Sequence, residues 1–558
     1  MNAAEPAPRL NRTHLAILLG ARLVVAFLVF AFGFRAVSDD DFSRVVIAQS
    51  FAHTPKLDPT GTSWLPFPFW ITGGAMFACG TSLWVARVTA FLLSLFSSFL
   101  IARATLLITR NAVAAVATSV FCSLIGWSAW LGVATVPELF TASLTLFAAS
   151  TLASKNPLDR SLGAFSLLAA TLSRYEPWPV AAAFAIANLV LKPTHIAPFS
   201  WAKNPSKNDK SSESTHSGEG APTSYGAPRA YFVRRAKSLC VHPVVTSLLA
   251  TVGPIVWILW NRIAHNDPFH FVARVTAYKR ALGVSSSEST LARLLQYPAA
   301  LLREMPEVLL LALLALVIAA RSRSRKAPQA PAARSALLPT VAPLALALVQ
   351  IGALSLALVN DGAPTHHPER AVLFPALALA VAAAAILART DVFSRKAFVY
   401  TAATAGVLLL FRAAVLPAVA AANGPDAPGL GPHLVRIFTP REAFMPRRAE
   451  TAIGERAAEV AKPEQRLLIA DMSDYGYFAI LAGSGRPWVF ELERDLDPRN
   501  SQNTIAVPLE TRLTQSGAHY VIAAANRPDK SGTFAAAPLA TEGPFSLWRV
   551  LQASPQKR

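Results

Sequence analysis

Ser38-Asp39-Asp40-Asp41-Phe42-Ser43-Arg44 follows directly on the run Leu15 to Phe34, the first stretch of the chain long and apolar enough to cross a bilayer. Crossing roughly 30 Å of hydrocarbon takes about 20 apolar residues. Three carboxylates in succession at the end of such a run are costly unless something caps, pairs or uses them. Where this segment sits therefore decides the architecture and the place to look for chemistry.

Outward from it, the 558-residue chain is 53% hydrophobic and only 15% charged, and further apolar runs lie at about 83–108, 112–130, 135–153, 161–173, 176–192, 243–262, 306–320, 335–359, 370–388 and 397–418. With the first they predict eleven spans and an all-α polytopic membrane protein. The formal net charge of +19 would suggest nucleic acid in a soluble chain. Here the basic residues fall in short clusters between apolar runs, as topology determinants do, which argues against a nucleic-acid partner. Cys79, Cys122 and Cys240 lie far apart, with no C-x-x-C pair and no metal-ligand spacing, so neither a disulfide framework nor a zinc site is expected. Arg9 and Arg12 precede a first run that exceeds a signal-peptide core and lacks a small-residue cleavage site. A retained first span with a cytoplasmic N-terminus follows.

The stretch 64–80 is short, interrupted by Pro66 and Pro68, and contains Gly73 and Gly74. If it does not cross, the basic connections Arg110-Asn111, 155–160, 193–242, 321–326 and 389–396 all fall on the cytoplasmic side. If it crosses, all of them move outside. It is therefore expected to lie on the outer surface, anchored by Trp64, Phe67, Phe69 and Trp70, after another surface helix over Phe42 to Ala52. Residues 200–230, rich in Ser, Gly, Pro, Lys and Asn, read as a disordered cytoplasmic loop. From 421 to 558 the hydropathy falls, and 466–470, 519–523 and 545–551 read as short strands of a small α/β domain. The expected division is a membrane domain over 1–420 and an extracytoplasmic domain over 421–558. The setting is a bacterial cell (inner) membrane.

With that orientation, the ionisable residues beside apolar runs gather at the outer face: Asp39, Asp40, Asp41, Arg44, Arg87, Glu138, Arg174, Glu176, His366, His367, Glu369 and Arg370, drawn from separate loops. Aspartates at a helix start can simply cap it. Capping uses one or two, however, and a third in a dehydrated cleft suits a general base. Glu138 after Pro137 is either a helix-start acid, a second acid of the site, or the partner of Arg87 or Arg174. Arg174 in Ser173-Arg174-Tyr175-Glu176-Pro177 either pairs locally with Glu176 or binds phosphate through its planar fork. His366, His367 and Glu369 lack the spacing of a zinc helix, since Pro368 interrupts it, so no metal ligands are assigned.

The order of these elements resembles the GT-C superfamily, polytopic glycosyltransferases that take sugar from a polyprenyl-phosphate carrier, most closely the bacterial protein-mannosyltransferase-like branch. The residues that carry the likeness are Ser38 to Arg44, Trp64-Leu65-Pro66-Phe67-Pro68-Phe69-Trp70, Val85-Ala86-Arg87-Val88, Val136-Pro137-Glu138 and Leu172-Ser173-Arg174-Tyr175-Glu176. His367-Pro368-Glu369-Arg370 is similar to the H-K-E-x-R-F loop of related mannosyltransferases, with the arginine one position early. The resemblance implies transfer of a sugar to a lipid, glycan or protein acceptor. Asp40 or Asp41 would take the proton, with Glu138 as a further acid, and Arg87, Arg174 and Arg370 would neutralise the departing phosphate. Arg44, Trp64, Tyr175, Glu176, His366, His367 and Glu369 complete the implied substrate site, and Phe269, Phe271, Tyr278, Lys279 and Arg280 of the loop 263–305 would meet the lipid. No cofactor is assigned, and a divalent cation is left open. The reading from another class is a transporter or flippase of a lipid-linked anion, which would favour charges midway along spans. A third is an inactive scaffold whose outer domain binds a partner.

Overall fold

The computed structural model describes residues 9–31, 34–61, 63–191, 242–281, 289–323, 338–360, 367–389, 447–470, 472, 474–493, 509–525 and 537–551. The expected loop 200–230, the expected span 397–418, the boundary at 421 and His366 lie outside these residues, as do the side chains of Lys279 and Arg280.

Up to residue 389 the described chain is helical: α1 (Arg12–Ala31), α2 (Asp39–His53), α3 (Phe67–Cys79), α4 (Leu83–Thr109), α5 (Ala112–Leu124), α6 (Gly126–Leu131), α7 (Glu138–Thr151), α8 (Pro157–Thr171), α9 (Pro177–Val190), α10 (Pro243–His265), α11 (His270–Ala281), α12 (Thr290–Glu304), α13 (Pro306–Arg323), α14 (Leu338–Val359), α15 (Pro368–Ala371) and α16 (Leu373–Ala388). Each expected apolar run falls on a helix where it is described. Among the described residues, five helical stretches, Arg12–Ala31, Leu83–Thr109, Pro243–His265, Val341–Val359 and Pro368–Ala388, are long and apolar enough to cross a membrane. The run 112–130 is divided at Ile125, whose extended backbone separates α5 from α6. Helix α7 is shorter but buried along nearly its whole length. Its polar residues are compatible with an apolar interior because hydroxyls such as Ser143 and Thr145 donate to the carbonyls one turn back, both at 2.8 Å.

One charge does lie midway along a span. Arg22 of α1 is only 1% exposed. Its Nη2 donates to Ser128 O at 2.7 Å and its Nε to Ser94 Oγ at 2.5 Å, and Nη1 reaches Ser123 O at 3.4 Å. The guanidinium meets Ser123 O, beside the break at Ile125, and Ser128 O of α6, which also accepts from Gly132 N at 3.2 Å. A Cβ at Gly132 would lie 1.2 Å from Arg22 Nη2, so glycine there makes room for the contact. Arg22 is thus held in a structural network.

Helices α2 and α3 form the two-helix insertion expected in the first loop, and Gly73 lets them touch: a Cβ there would meet Phe51 Cδ1 at 2.4 Å. The apolar face of α2, however, is covered by the C-terminal domain. Phe42, Val45, Ala48 and Ala52 pack with Ala479 and Ala482 of that domain, Gln49 Nε2 donates to Ala482 O at 2.9 Å, and His53 stacks on Trp488 at 4.0 Å. The domain comprises α17 (Arg448–Val460), β1 (Leu467–Ile469), α18 (Tyr477–Ser484), β2 (Phe490–Leu492), α19 (Leu509–Ser516), β3 (Tyr520–Ala524), β4 (Ala540–Glu542) and β5 (Phe545–Arg549). The sheet order is β2-β1-β3-β5-β4, with β1 parallel to β2 and β3, and β5 antiparallel to β3 and β4. Helices α17 and α18 pack with Leu467, Ile469, Ile522 and Leu547 on one face, while Leu509 and Leu513 of α19 pack with Leu468, Val521 and Ala523 on the other. The all-buried pattern of β1 fits a strand covered on both faces.

Candidate active site

A cavity of about 300 Å³ lies where α2, the segment before α3, the α8–α9 turn, α11, α15 and the start of α18 converge. Its polar wall includes Asp40, Arg44, Arg174, Glu176, His367 and Arg370. Of the residues expected at the site, Trp64 and Tyr175 also line it.

The three aspartates, adjacent in sequence, have three different surroundings. Asp41 is 2% exposed, and its Oδ2 accepts from the Val37 and Ser38 N–H groups at 2.9 and 3.2 Å while Oδ1 accepts from Thr135 N at 2.9 Å. It closes the capping box of α2 and ties the helix to the α6–α7 connection. Burial raises its pKa against the opposing pull of these N–H groups and of the Arg370 charge. Asp39 accepts two hydrogen bonds from Arg447 at 2.9 and 3.0 Å, and Arg447 also reaches Glu450 at 3.1 Å and Asp474 at 2.9 Å. Asp39 thus anchors the C-terminal domain. Asp40 lines the cavity with its side chain 38% exposed, 3.4 Å from Arg370 Nη1. Of the two carboxylates expected as the base, Asp40 faces the cavity and Asp41 is occupied by the frame.

Arg174 is clamped between two carboxylates. Nη1 meets Glu138 at 2.6 Å, and Nη2 and Nε meet Glu176 at 2.6 and 2.9 Å. Burial works against this charge, but Glu176 and Glu138 outweigh it and hold its pKa above the ordinary guanidinium value. Glu138 is 3% exposed and also lies 3.8 Å from Arg370. It supports the wall of the cavity as the partner of Arg174.

Arg44 differs. It is 8% exposed, its guanidinium lies 4.4 Å from the Trp64 ring and 5.6 Å from that of Phe69, and its Nε and Nη1 are buried with no hydrogen-bond partner. Burial lowers its pKa most, with Glu138 and Asp40 opposing. Arg370 donates to Ser38 Oγ at 3.1 Å and also leaves a buried Nε without a partner. Buried guanidinium N–H groups are expensive to leave unmade, and an anionic oxygen satisfies them.

The remaining expected residues separate. Tyr175 hydrogen-bonds Ser63 O, accepts from Trp257 Nε1 at 3.2 Å and stacks on Phe271 at 4.7 Å. His367 and Glu369 pair with each other at 3.1 Å. Phe269 is exposed, while Tyr278 lines the cavity. Arg87 does not join this cavity; it lines another with Arg35. It sits in the second turn of α4, on the opposite side of α2. Sequence reasoning missed Arg274, and gave no role at the site to Tyr475, Tyr477 and Phe478, which line the cavity from the C-terminal domain. The cluster Tyr475-Gly476-Tyr477-Phe478 was visible as an aromatic run, but no local signal says that it reaches α2. Among the described residues, no group of three or more His, Cys, Asp or Glu side chains is placed to hold a metal ion.

No family model matches the chain, and no curated protein matches it in sequence. Among solved structures it is similar to ArnT from Cupriavidus metallidurans. The apo crystal structure aligns with a TM-score of 0.52 at 14% identity, covering 97% of this chain and 99% of that one. The crystal structure of the same protein bound to undecaprenyl phosphate aligns with a TM-score of 0.51 at 13% identity, over 97% and 99%. The likeness is one of fold: a helical architecture with spans long and apolar enough to cross a membrane, carrying a small C-terminal sheet domain.

Proposed function

We propose that the chain is an integral-membrane glycosyltransferase, transferring a sugar from a polyprenyl-phosphate-linked donor to a lipid, glycan or protein acceptor at the outer face of a bacterial inner membrane. The observation that carries this reading is the pairing, in one cavity, of the accessible carboxylate Asp40 with the buried, incompletely bonded guanidinium of Arg44. The undecaprenyl-phosphate complex of a protein with the same fold supports a lipid-phosphate ligand.

In this mechanism Asp40 accepts the proton of the acceptor hydroxyl as its oxygen attacks the anomeric carbon. The bond from that carbon to the phosphate oxygen breaks, and the polyprenyl phosphate leaves with the electron pair. Arg44 and Arg370 take up the developing charge on the phosphate. Arg174 acts through Glu138 and Glu176 as a positioning residue. Tyr475, Tyr477 and Phe478 give the sugar or acceptor an aromatic wall, with faces suited to the apolar side of a sugar ring.

Lipid and glycan profiling of a deletion strain tests the reading. A polyprenyl-phosphate sugar should accumulate and one glycan should vanish, and wild-type protein but not Asp40→Asn should restore both. Unchanged profiles, or full restoration by Asp40→Asn, would sink it.

A further inference from the structure

The C-terminal domain reaches the cavity around Asp40 through one loop, and the topology of its sheet singles that loop out. Strand β1 is central in the order β2-β1-β3: the chain leaves it through α18 on one face to reach β2, and α19 on the other face leads to β3 on its far side. The strand order therefore reverses at β1, and in open α/β sheets ligands bind outside the carboxyl ends of the strands at such a point. The residues that follow β1 include Asp474, Tyr475, Tyr477 and Phe478, and the three aromatic ones line the cavity.

One guanidinium fixes this loop against the candidate base. Arg447 donates to Asp39, the neighbour of Asp40, at 2.9 and 3.0 Å, and to Asp474, the neighbour of Tyr475, at 2.9 Å. Gly476 N donates to Asp474 Oδ1 at 2.9 Å, and a Cβ at Gly476 would lie 2.5 Å from Arg447 Nη1, so glycine lets the loop pass this close. The half-buried Tyr475 ring stacks with that of Phe478 at 6.2 Å.

The order of side chains around α2 decides which substrate this wall meets. At roughly 100° per residue, the α2 residues that line the cavity run from Asp39, bonded to the C-terminal domain, through Ser43, Ile47 and Asp40 to Arg44, whose guanidinium lies against Trp64. Asp40 stands between the aromatic loop and the guanidinium assigned to the phosphate. A base so placed takes its proton from a hydroxyl arriving on the domain side, opposite the leaving phosphate.

We propose that the loop after β1 is the acceptor subsite and that the acceptor is a carbohydrate, its ring lying on Tyr475 with a hydroxyl turned to Asp40. This rests on the transferase reading and gives it an acceptor class. An aromatic wall beside a carboxylate suits a sugar ring, which has an apolar C–H face and polar edges. An extended peptide would instead pair with a strand edge, and neither edge strand, β2 or β4, contributes a described residue to the cavity lining.

Transfer assays on the full-length protein in nanodiscs test it, with the polyprenyl-phosphate sugar as donor and separate glycolipid, aqueous glycan and protein fractions of a deletion strain as acceptors. The glycolipid or the aqueous glycan fraction should accept the sugar, the two arms showing which carrier bears the ring, and periodate oxidation of that fraction beforehand should abolish transfer. Tyr475→Leu should raise the acceptor KM about tenfold, Tyr475→Phe should recover most of that loss, and the donor Kd should hold in both. Arg447→Gln keeps the ring and loosens the loop, so it should raise the acceptor KM as well, and it carries the test if Tyr475→Leu lowers the melting temperature. Transfer to the protein fraction alone, or a wild-type acceptor KM in both Tyr475→Leu and Arg447→Gln, overturns the proposal and leaves the transferase reading standing. A weakened donor Kd in Tyr475→Leu with the acceptor KM unchanged also overturns it, by giving the wall to the donor sugar. No transfer by wild-type protein to any fraction overturns the transferase reading itself, and the acceptor assignment with it.

Discussion

The cavities on the two sides of the first turn of α2 are both lined by arginines and differ in what those arginines face. On the Asp40 side, Arg174 is matched by Glu138 and Glu176, and Arg370 by Asp40 and Glu138. On the Arg87 side, Arg35, Arg87, Arg447 and Arg448 line a cavity together with Glu455, and Arg447 meets Asp39, Glu450 and Asp474. On the Asp40 side, paired carboxylates fix Arg174 and Arg370 in place, while Arg44 keeps buried N–H groups without a hydrogen-bond partner. Asp39 and Arg447 form the partition between them, so one salt-bridge cluster separates the two environments.

The largest expected effect removes the chemistry from the first cavity alone. Asp40→Asn should lower sugar transfer by about 10²- to 10⁴-fold, the usual contribution of a general base. A sugar-transfer assay in membranes checks this. Destroying the matching itself comes next. Arg174→Ala leaves Glu138 and Glu176 facing each other in a buried site and should cost about 3–5 kcal/mol. A lowered melting temperature before any change in donor affinity identifies Arg174 as a positioning residue, and unchanged stability with weakened donor binding would return it to the phosphate.

A smaller effect is expected at the incompletely bonded cation. Arg44→Gln should weaken donor binding by about 1.5–3 kcal/mol, the range for hydrogen bonds to charged groups. A Kd for a polyprenyl-phosphate sugar measured in nanodiscs checks this. The smallest effect falls on the partition. Arg447→Gln should weaken docking of the C-terminal domain by on the order of 1 kcal/mol, since its carboxylate partners are partly exposed. Faster proteolysis of the C-terminal domain would report it. Burial opposes ionisation of Asp474, but the Gly476 N–H and Arg447 outweigh it and lower its pKa. Its share of the contact is therefore present above the ordinary carboxylate pKa of about 3.9 and is lost as pH falls through the lowered value. Domain release on acidification should be blunted in Asp474→Asn.

Much of the fold could be read from the chain because membrane insertion depends on windows of local hydropathy. The runs at 83–108, 243–262 and 370–388 lie on α4, α10 and α16, and the insertion after α1 contains both expected helices. The strands β1, β3 and β5 were visible as short apolar runs at 466–470, 519–523 and 545–551. The three-residue strands β2 and β4 were not, because edge pairing through the backbone needs no apolar pattern. Arg22 escaped notice for a related reason. A single charge barely lowers the hydropathy of a 20-residue window, and the groups that receive it, Ser94 Oγ and the Ser123 and Ser128 carbonyls, come from helices far along the chain.

The sequence by itself determined that this is a membrane protein of apolar helices, with an acidic cluster after its first span and arginines and glutamates at other span ends. Tertiary structure alone decided what each carboxylate does. Successive residues on a helix point about 100° apart, so Asp39, Asp40 and Asp41, chemically identical neighbours, face Arg447, Arg370 and Thr135 in turn. Those partners lie roughly 100 to 400 residues away along the chain. No local pattern records which distant element will pack on which side of a helix, and the choice among three aspartates rests on that packing.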